Sequence, residues 1–341
     1  MPSSDVQVLP TRLNFSRRPA AARVLSFVPV LSLLLLLLAW LVVPAALERL
    51  MYLPLLISTV LLGIPHGALD HQVPARLGWR WGRRPWVGLY LLGYLLLAAG
   101  VLLCWLRFPD ATFWGFLLMS LLHWGQGDVH HLERVQGRRR AARWSALLAV
   151  LARGSLPILV PLLRFPDWFA RLSAGIHQVF HLPSPGGALL PPPWPMLLGA
   201  GVALLLAAYV ADTLRSSRRP RLELAETGVL LLTFLVVPTP LAIGIYFSLW
   251  HAWRHLDRLL NLRVYTEQAP PRRTWHLALD LLPISVIALG LLSALYFWAR
   301  PHVQTQETFA ALYLALIAAL TLPHALLVAV MDENPAPARQ A

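Results

Sequence analysis

The sequence predicts an all-α protein: a polytopic membrane helix bundle of about ten transmembrane helices, with both termini in the cytoplasm. Three observations predict this fold. The 341 residues are 57% hydrophobic and only 13% charged, unlike a soluble globular chain. Apolar runs long enough to cross a bilayer as helices recur along the chain. The arginines gather in every second connection between these runs.

The apolar runs define one transmembrane domain at 24–331. It lies between a polar cytoplasmic segment at 1–23 and a polar tail at 332–341, whose proline and alanine content predicts disorder. A long connection at 164–195 carries aromatic and aliphatic residues at helical spacing, which predicts an extracytoplasmic loop with an interfacial amphipathic helix. The same helix could instead form the lip of a substrate entrance. The predicted spans lie at 24–46, 50–70, 86–106, 111–131, 144–163, 196–212, 224–240, 241–259, 276–299 and 308–330.

Arginine placement sets the predicted orientation of the bundle. Connections after odd-numbered spans hold few arginines, whereas those after even-numbered spans hold at least four each. The positive-inside rule then puts both termini in the cytoplasm and predicts a multi-pass protein of the cell membrane. The arginines after even-numbered spans are Arg76, Arg80, Arg83, Arg84, Arg134, Arg138, Arg139, Arg140, Arg143, Arg215, Arg218, Arg219, Arg221, Arg258, Arg263, Arg272 and Arg273.

The charged residues also exclude two classes of protein. The formal net charge is +13, but the arginines fall mostly in short loops, where they contact lipid headgroups. We therefore expect no nucleic-acid partner. The sequence contains no lysine, so arginine supplies all of its permanent positive charge. A retinal-binding opsin needs a lysine for its Schiff base, so the chain is not itself an opsin.

Histidines recur at one depth of the predicted bundle. Spans two, four, eight and ten run in the same direction, and each carries a histidine in its cytoplasmic half. Ionisable side chains inside a membrane helix indicate a functional site, and clustered imidazoles favour iron, copper or zinc. His251 and His255 lie one helical turn apart on one face and can bind one metal together. The predicted ligands are His66, His123, His251 and His255.

Three more polar residues belong around this predicted centre. Asp70 and Asp128 can orient His66 and His123, because a metal-bound imidazole usually donates its other N–H to a carboxylate or carbonyl. His324 follows a proline, as His66 does. It could be a ligand, an orienting group or a substrate contact, and we place it with the two aspartates around the ligands. One further polar residue, Arg153, falls in the middle of span five, where it either pairs with a carboxylate inside the membrane or marks a misplaced boundary.

Aromatic residues are dense near the histidines. They could form the interfacial belt common to membrane proteins, or the walls of a channel for a long apolar substrate. Composition alone does not separate the two interpretations. The residues are Trp124, Tyr246, Phe247, Trp250 and Trp253.

Four segments together resemble a known family. They are Gly63–His71 (GIPHGALDH), His123–Gly125 with Asp128, Trp250–His255 (WHAWRH) and Leu322–His324 (LPH). In this order they are similar to the Brp/Blh-type bacterial β-carotene 15,15′-dioxygenases, and they cover most of the membrane region. The first segment is the most specific of the four.

The resemblance implies a multi-span membrane enzyme with O2 and β-carotene as its substrates. It implies cleavage of β-carotene at its central double bond to two all-trans-retinal, with non-haem Fe(2+) as the cofactor. A functional link to an opsin follows from the retinal product. Carried onto the matching positions, the implied iron ligands are His66, His123, His251 and His255.

Two other functions fit parts of the same pattern. A membrane di-iron desaturase or hydroxylase acting on a lipid would use more histidines, for which His71, His130 and His131 are available. A non-catalytic carotenoid-binding or transport protein could use the buried histidines without a metal. Metal content separates these interpretations: one iron per chain, two, or none.

Overall fold

The computed structural model describes residues 27–79, 84–136, 140, 142–183 and 187–333. Every regular element within these ranges is helical. The predicted polar segment at 1–23, the first residues of the first span, and 334–341 of the predicted tail lie outside the described residues. Asp332, predicted to begin a disordered tail, instead lies in the last helix, where its carboxylate pairs with His130 at 3.1 Å and with Arg258.

Helix is present in each of the ten predicted spans. Two of these spans combine several short segments, whereas the others contain a longer helix. In chain order the helices are α1 (Val28–Val42), α2 (Pro44–Arg49), α3 (Leu53–Ser58), α4 (Val73–Arg76), α5 (Arg84–Arg107), α6 (Pro109–Gln136), α7 (Arg143–Arg164), α8 (Pro166–Val179), α9 (Trp194–Ser216), α10 (Pro220–Val236), α11 (Thr239–Ile245), α12 (Trp253–Leu259), α13 (Arg263–Thr266), α14 (Pro270–Ala299) and α15 (Gln306–Glu333).

Within the described residues, five apolar helical segments are long enough to cross a membrane. In the most exposed of them, only 6% of the apolar window is buried inside the protein. Such a helix cannot face water over its whole length, so the chain is a membrane protein. The number of crossings and the side of each terminus stay predictions. The five segments are Trp86–Arg107, Arg143–Arg164, Trp194–Ser216, Pro271–His302 and Gln306–Asp332.

The two discontinuous spans carry predicted metal ligands. Helix α3 passes into a π-helical turn at Thr59–Gly63 and then a 3₁₀ turn at Pro65–Gly67. Pro65 explains the change, since it lacks an N–H and disturbs the preceding turn. Between α11 and α12, a second π-helical stretch covers Tyr246–Ala252. Single π-helical turns are frequent at functional sites.

Helices α6 and α7 cross at very close range. A Cβ atom on Gly154 would lie 1.9 Å from the Leu121 carbonyl oxygen, and one on Gly125 would lie 2.0 Å from the Val150 carbonyl oxygen. Only glycine permits such an approach of two backbones. The crossing fixes His123, two residues before Gly125, relative to the buried helix α7.

The connection at 164–195 contains the predicted helix, α8. Its apolar side packs along α15 and buries Phe169, Ile176 and Val179. His177 is also buried, lying 3.1 Å from Asp110. This helix is therefore packed against the bundle over much of its length.

A polar cluster anchors the segment that follows His66. Arg76 donates to Tyr265 and lies 2.8 Å from the Asp280 carboxylate. Burial raises the pKa of Tyr265 to about 12, so the phenol stays protonated and donates to Asp280 at 2.7 Å. The cluster joins α4, α13 and α14.

Candidate metal centre

Five imidazole rings meet inside the bundle. They come from the turn after α3, from α6, from the π-helical stretch, from α12 and from α15. All five side chains are buried. The ring centre of His66 lies 5.6 Å from that of His251 and 5.7 Å from that of His255. The ring centres of His123 and His251 are 5.0 Å apart. His324 provides the fifth ring. The structure thus brings together the four predicted ligands and His324.

These spacings suit a shared metal ion. An imidazole bound through a metal–nitrogen bond of ~2.1 Å has its ring centre about 3.2 Å from the metal. Neighbouring ligands at angles of about 90–120° then have ring centres about 4.5–5.5 Å apart, close to the observed distances. In the described part of the chain, no group of three or more His, Cys, Asp or Glu side chains is already closed enough to hold a metal. Ligation would therefore require the rings to turn towards one another.

Several ring nitrogens of the cluster have no protein partner. Among the described residues, both nitrogens of His123 and the Nε2 atoms of His251 and His324 are buried without a hydrogen bond. A buried polar atom without a partner is costly. The donor set and its unpaired nitrogens therefore fit an imidazole-binding metal such as iron, copper or zinc.

Backbone geometry prepares His66 for ligation. Its Nδ1 donates to the Gly63 carbonyl within the turn that Pro65 imposes. Because a carbonyl can only accept, Nδ1 carries the proton in the neutral ring and Nε2 keeps its lone pair for a metal. A backbone carbonyl thus does for His66 what Asp70 was predicted to do.

Asp70 orients a different histidine from the one predicted. His324 Nδ1 lies 2.9 Å from Asp70 Oδ2 and 3.0 Å from Oδ1, so the imidazole donates to the carboxylate. Tyr94, on α5, donates its hydroxyl to the same carboxylate at 3.1 Å. His66 and Asp70 are four residues apart, a spacing that puts two side chains on one face of a regular helix, but a 3₁₀ turn at Pro65–Gly67 replaces the regular helix here.

Asp128 also has different partners from those predicted. Its Oδ2 accepts from Arg153 at 2.8 and 3.1 Å, and its Oδ1 accepts from Arg254 at 3.0 Å and from Trp250 at 2.8 Å. His123, which Asp128 was expected to orient, has no hydrogen bond to it. His123 and Asp128 are five residues apart and so lie about 140° apart around α6. The carboxylate therefore meets α7 and α12 rather than the imidazole.

Asp128 belongs to a buried charge cluster of two carboxylates and two guanidiniums. Glu226, on α10, completes it by accepting from Arg254 at 2.8 Å, with Arg153 at 3.4 Å. Arg153 is fully buried, so the interpretation that it pairs with a carboxylate inside the membrane is confirmed. We name this the four-residue charge cluster: Asp128, Arg153, Glu226 and Arg254. It joins α6, α7, α10 and α12 next to His251 and His255.

Two contributors to the site had not been predicted. Tyr94 lies four residues after Tyr90, which donates to the Asp70 backbone carbonyl at 3.1 Å, so two tyrosines one turn apart were a possible signal. Glu226 lies within the predicted span 224–240, and a carboxylate there was a natural partner for Arg153. Neither sequence signal indicates which helix the side chain of Tyr94 or of Glu226 contacts.

An apolar cavity of about 130 Å³ lies beyond Trp124 and Phe247, whose rings contact the histidine cluster. Phe116, Trp124, Phe169 and Phe247 are among its lining residues. Phe247 joins it to the centre, with its ring 5.4 Å from that of His66 and 6.0 Å from that of His251. Trp124 and Phe247 are thus cavity walls, as the channel interpretation of the aromatics predicted, whereas Trp250 serves the charge cluster.

A second, polar cavity of about 20 Å³ lies among His123, His251 and His255. This is room for about one water-sized particle. His130 and His131, the extra histidines of the di-iron interpretation, also line it. His71 instead donates from Nδ1 to the Ala68 carbonyl at 3.0 Å, within its own segment.

A buried histidine cluster beside an apolar cavity, in an apolar helical bundle, defines a membrane protein with a candidate metal centre. Residues 57–332 match the model of the beta-carotene 15,15′-dioxygenase family. The chain therefore belongs to the β-carotene 15,15′-dioxygenase family, a family of enzymes, and the resemblance of the four segments is confirmed.

Individual relatives agree with this assignment. The chain is 34% identical over 303 residues to the "probable beta-carotene 15,15′-dioxygenase Blh" of Halobacterium salinarum, covering 82% of this chain and 84% of the relative. It is 24% identical over 281 residues to the "beta-carotene 15,15′-dioxygenase" of an uncultured marine bacterium, covering 79% and 90%. No solved structure matches the chain.

The four-residue charge cluster makes a prediction about stability. Replacing Arg153 by Met leaves two carboxylates facing one guanidinium, and we expect a loss of about 3–5 kcal/mol because an uncompensated charge stays buried. Adding Glu226→Gln restores the balance, so the double variant should lose less than the sum of the single losses. The free energy of unfolding is measured by denaturant titration in mixed micelles. Strictly additive losses would contradict the coupling within the cluster. The control is Arg107→Met, which changes an exposed arginine and should stay within about 0.5 kcal/mol of the parent.

Proposed function

We propose that this protein is a non-haem iron dioxygenase that cleaves β-carotene at its central double bond with O2, giving two all-trans-retinal. The observation that carries the proposal is a buried group of imidazoles beside an apolar, aromatic cavity, with the Phe247 ring in contact with both. Membership of the β-carotene 15,15′-dioxygenase family supports the substrate and the bond that is cleaved. The names of the two relatives describe the same activity for those proteins.

The chain provides suitable residues for the iron. His66, His123, His251 and His255 would hold Fe(2+), because imidazole nitrogens suit this ion and those of His123, with Nε2 of His251, are buried without a partner. Bound iron would supply the activation of dioxygen. The chain itself holds His66 in the required tautomer through the Gly63 carbonyl.

The apolar cavity would hold the polyene next to the imidazoles. Aromatic and aliphatic walls offer dispersion contacts and exclude water, and they leave few polar groups that could orient a hydrocarbon in any other way. Its volume of about 130 Å³ is below the ~300–1,000 Å³ of common ligand sites. We therefore expect the lining side chains to move apart on binding, and α8, which contributes Trp168 and Phe169, to form the lip of the entrance.

No side chain near the centre is needed as a general acid or base. The overall reaction adds both atoms of O2 to one carbon–carbon bond and releases no proton. The carboxylates closest to the histidines are already engaged, Asp128 by two guanidiniums and Asp70 by His324 and Tyr94. Both aspartates act as positioning residues in this proposal.

The proposal includes the setting in the membrane. The domain at 24–331 would cross the cell membrane about ten times, with both termini in the cytoplasm and the 164–195 loop outside, as arginine placement predicts. Cysteine accessibility tests this: in a Cys104→Ala background, single cysteines at Ser3 and Gln340 should be protected from a membrane-impermeant reagent in intact cells. A cysteine at Asp167 should react. Labelling of either terminus would contradict the orientation.

The expected partners follow from the reaction. O2 and β-carotene are the substrates, and the bilayer in which β-carotene dissolves is the medium that delivers it. The retinal product is a chromophore that a lysine-bearing opsin can bind, so we propose a functional link to such a protein.

Retinal formation is the direct test of the activity. In a bacterial host that accumulates β-carotene, expression of this chain should replace the carotene with retinal, measured by chromatography. His251→Ala should abolish the product, because it removes one of the four proposed ligands. His177→Ala, which removes a buried histidine that is paired with Asp110, should retain it. Unchanged β-carotene alongside well-expressed parent protein would overturn the proposed reaction.

Metal content distinguishes the proposal from its alternatives. Protein purified without oxygen should contain one iron per chain, whereas a di-iron desaturase or hydroxylase would contain two and a non-catalytic carrier none. His71→Ala should leave iron content and retinal formation near the parent values, since its Nδ1 bonds within its own segment. Two irons per chain, together with loss of activity in His71→Ala and in variants of His130 and His131, would favour the di-iron enzyme.

A further inference from the structure

We infer that His324 is a fifth imidazole ligand of the metal, positioned by Asp70 and Tyr94. The inference rests on the proposed iron centre and extends its ligand set beyond the four residues that the family motifs imply. Three independent features of the structure support it: the place of the ring within the cluster, the hydrogen bond that orients it, and its unpaired second nitrogen.

The ring of His324 lies among the proposed ligands rather than behind them. Its centre is 5.0 Å from His66, 5.1 Å from His123 and 5.2 Å from His255. These separations lie within the range covered by the pairs of proposed ligands, which runs from 5.0 to 5.7 Å. His324 thus contacts three of the four proposed ligand rings, as a ring inside the cluster would.

The hydrogen bond to Asp70 leaves the second nitrogen of the ring available for a metal. Nδ1 donates to the Asp70 carboxylate, so the neutral imidazole carries its proton there and keeps a lone pair on Nε2. Asp70 also accepts from Tyr94 at 3.1 Å, which holds the carboxylate in place. A carboxylate that accepts from the far nitrogen of an imidazole is the usual partner of a metal-bound histidine.

The second nitrogen of His324 has no other partner. In the described residues, Nε2 is buried without a hydrogen bond. A histidine whose only task was to pair with Asp70 would leave this atom at a permanent cost. A metal at the centre of the rings satisfies it. With five protein ligands in place of four, one fewer coordination position is open to oxygen.

Iron affinity separates a ligand from a packing residue. We would measure Fe(2+) affinity without oxygen, by competition with a chelator of known affinity. His324→Gln keeps an amide that can donate to Asp70 but lacks the imidazole, and we expect its affinity to fall by at least about 100-fold. Asp70→Ala should lower it by about 10–100-fold, as for other residues that support a metal-bound histidine. His177→Gln is the matched control, because it changes a buried histidine whose two ring nitrogens already have partners, and it should bind iron like the parent.

A second pair of measurements keeps the test decisive if His324→Gln does not fold. In His324→Gly, added imidazole should restore iron affinity by entering the space left by the ring. In the parent protein labelled with ¹⁵N-histidine, pulsed electron paramagnetic resonance of the iron with bound nitric oxide should count five coupled imidazoles.

The outcomes distinguish the role inferred for His324 from the proposed iron centre on which it rests. Parent protein that binds one iron, together with unchanged affinity in His324→Gln or a count of four imidazoles, would overturn the role of His324 alone. Parent protein that binds no iron would overturn the proposed iron centre and this inference with it.

Discussion

Charge compensation in an apolar interior is the constraint on which this structure depends. An arginine that is fully buried in a bundle of this composition is tolerable only when carboxylates surround it. Arg153 and Arg254 meet Asp128 and Glu226, and the four side chains come from four different helices. The pairing therefore sets how these helices sit relative to one another. Because Arg254 lies between His251 and His255 in sequence, the same pairing sets the position of two imidazoles.

Irregular helix geometry allows the histidines to converge. A regular α-helix presents side chains in fixed directions, so helices that are distant in the chain need local adjustments to bring five rings into one cluster. The turn at Pro65–Gly67 and the π-helical stretch at Tyr246–Ala252 each lie at a histidine of the cluster. The close crossing at Gly125 and Gly154 brings His123 towards the same point. The irregular turns and the glycine crossing are thus all located at the candidate site.

The two sides of the histidine cluster differ in chemistry. On one side Phe247 and Trp124 open to an apolar cavity, and on the other a small polar cavity lies among imidazoles and guanidiniums. An apolar substrate and a charged metal ion have opposite solvation preferences, so this separation lets one site bind both. Asp70 and Asp128, the carboxylates nearest the histidines, do not line the apolar cavity, whereas Glu307 does.

The sequence by itself determined the class of protein, the position of the helical segments and the four histidines now proposed as ligands. These follow from hydropathy, arginine placement and the four motifs, and each depends on residues that are close together in the chain. Only the tertiary structure decided that Asp70 serves His324, that Asp128 and Glu226 balance Arg153, and that Trp124 and Phe247 line a cavity. The physical reason is that spacing defines which residues share one face of a helix, whereas the neighbour that this face meets depends on how the helices rotate and cross when the whole bundle packs.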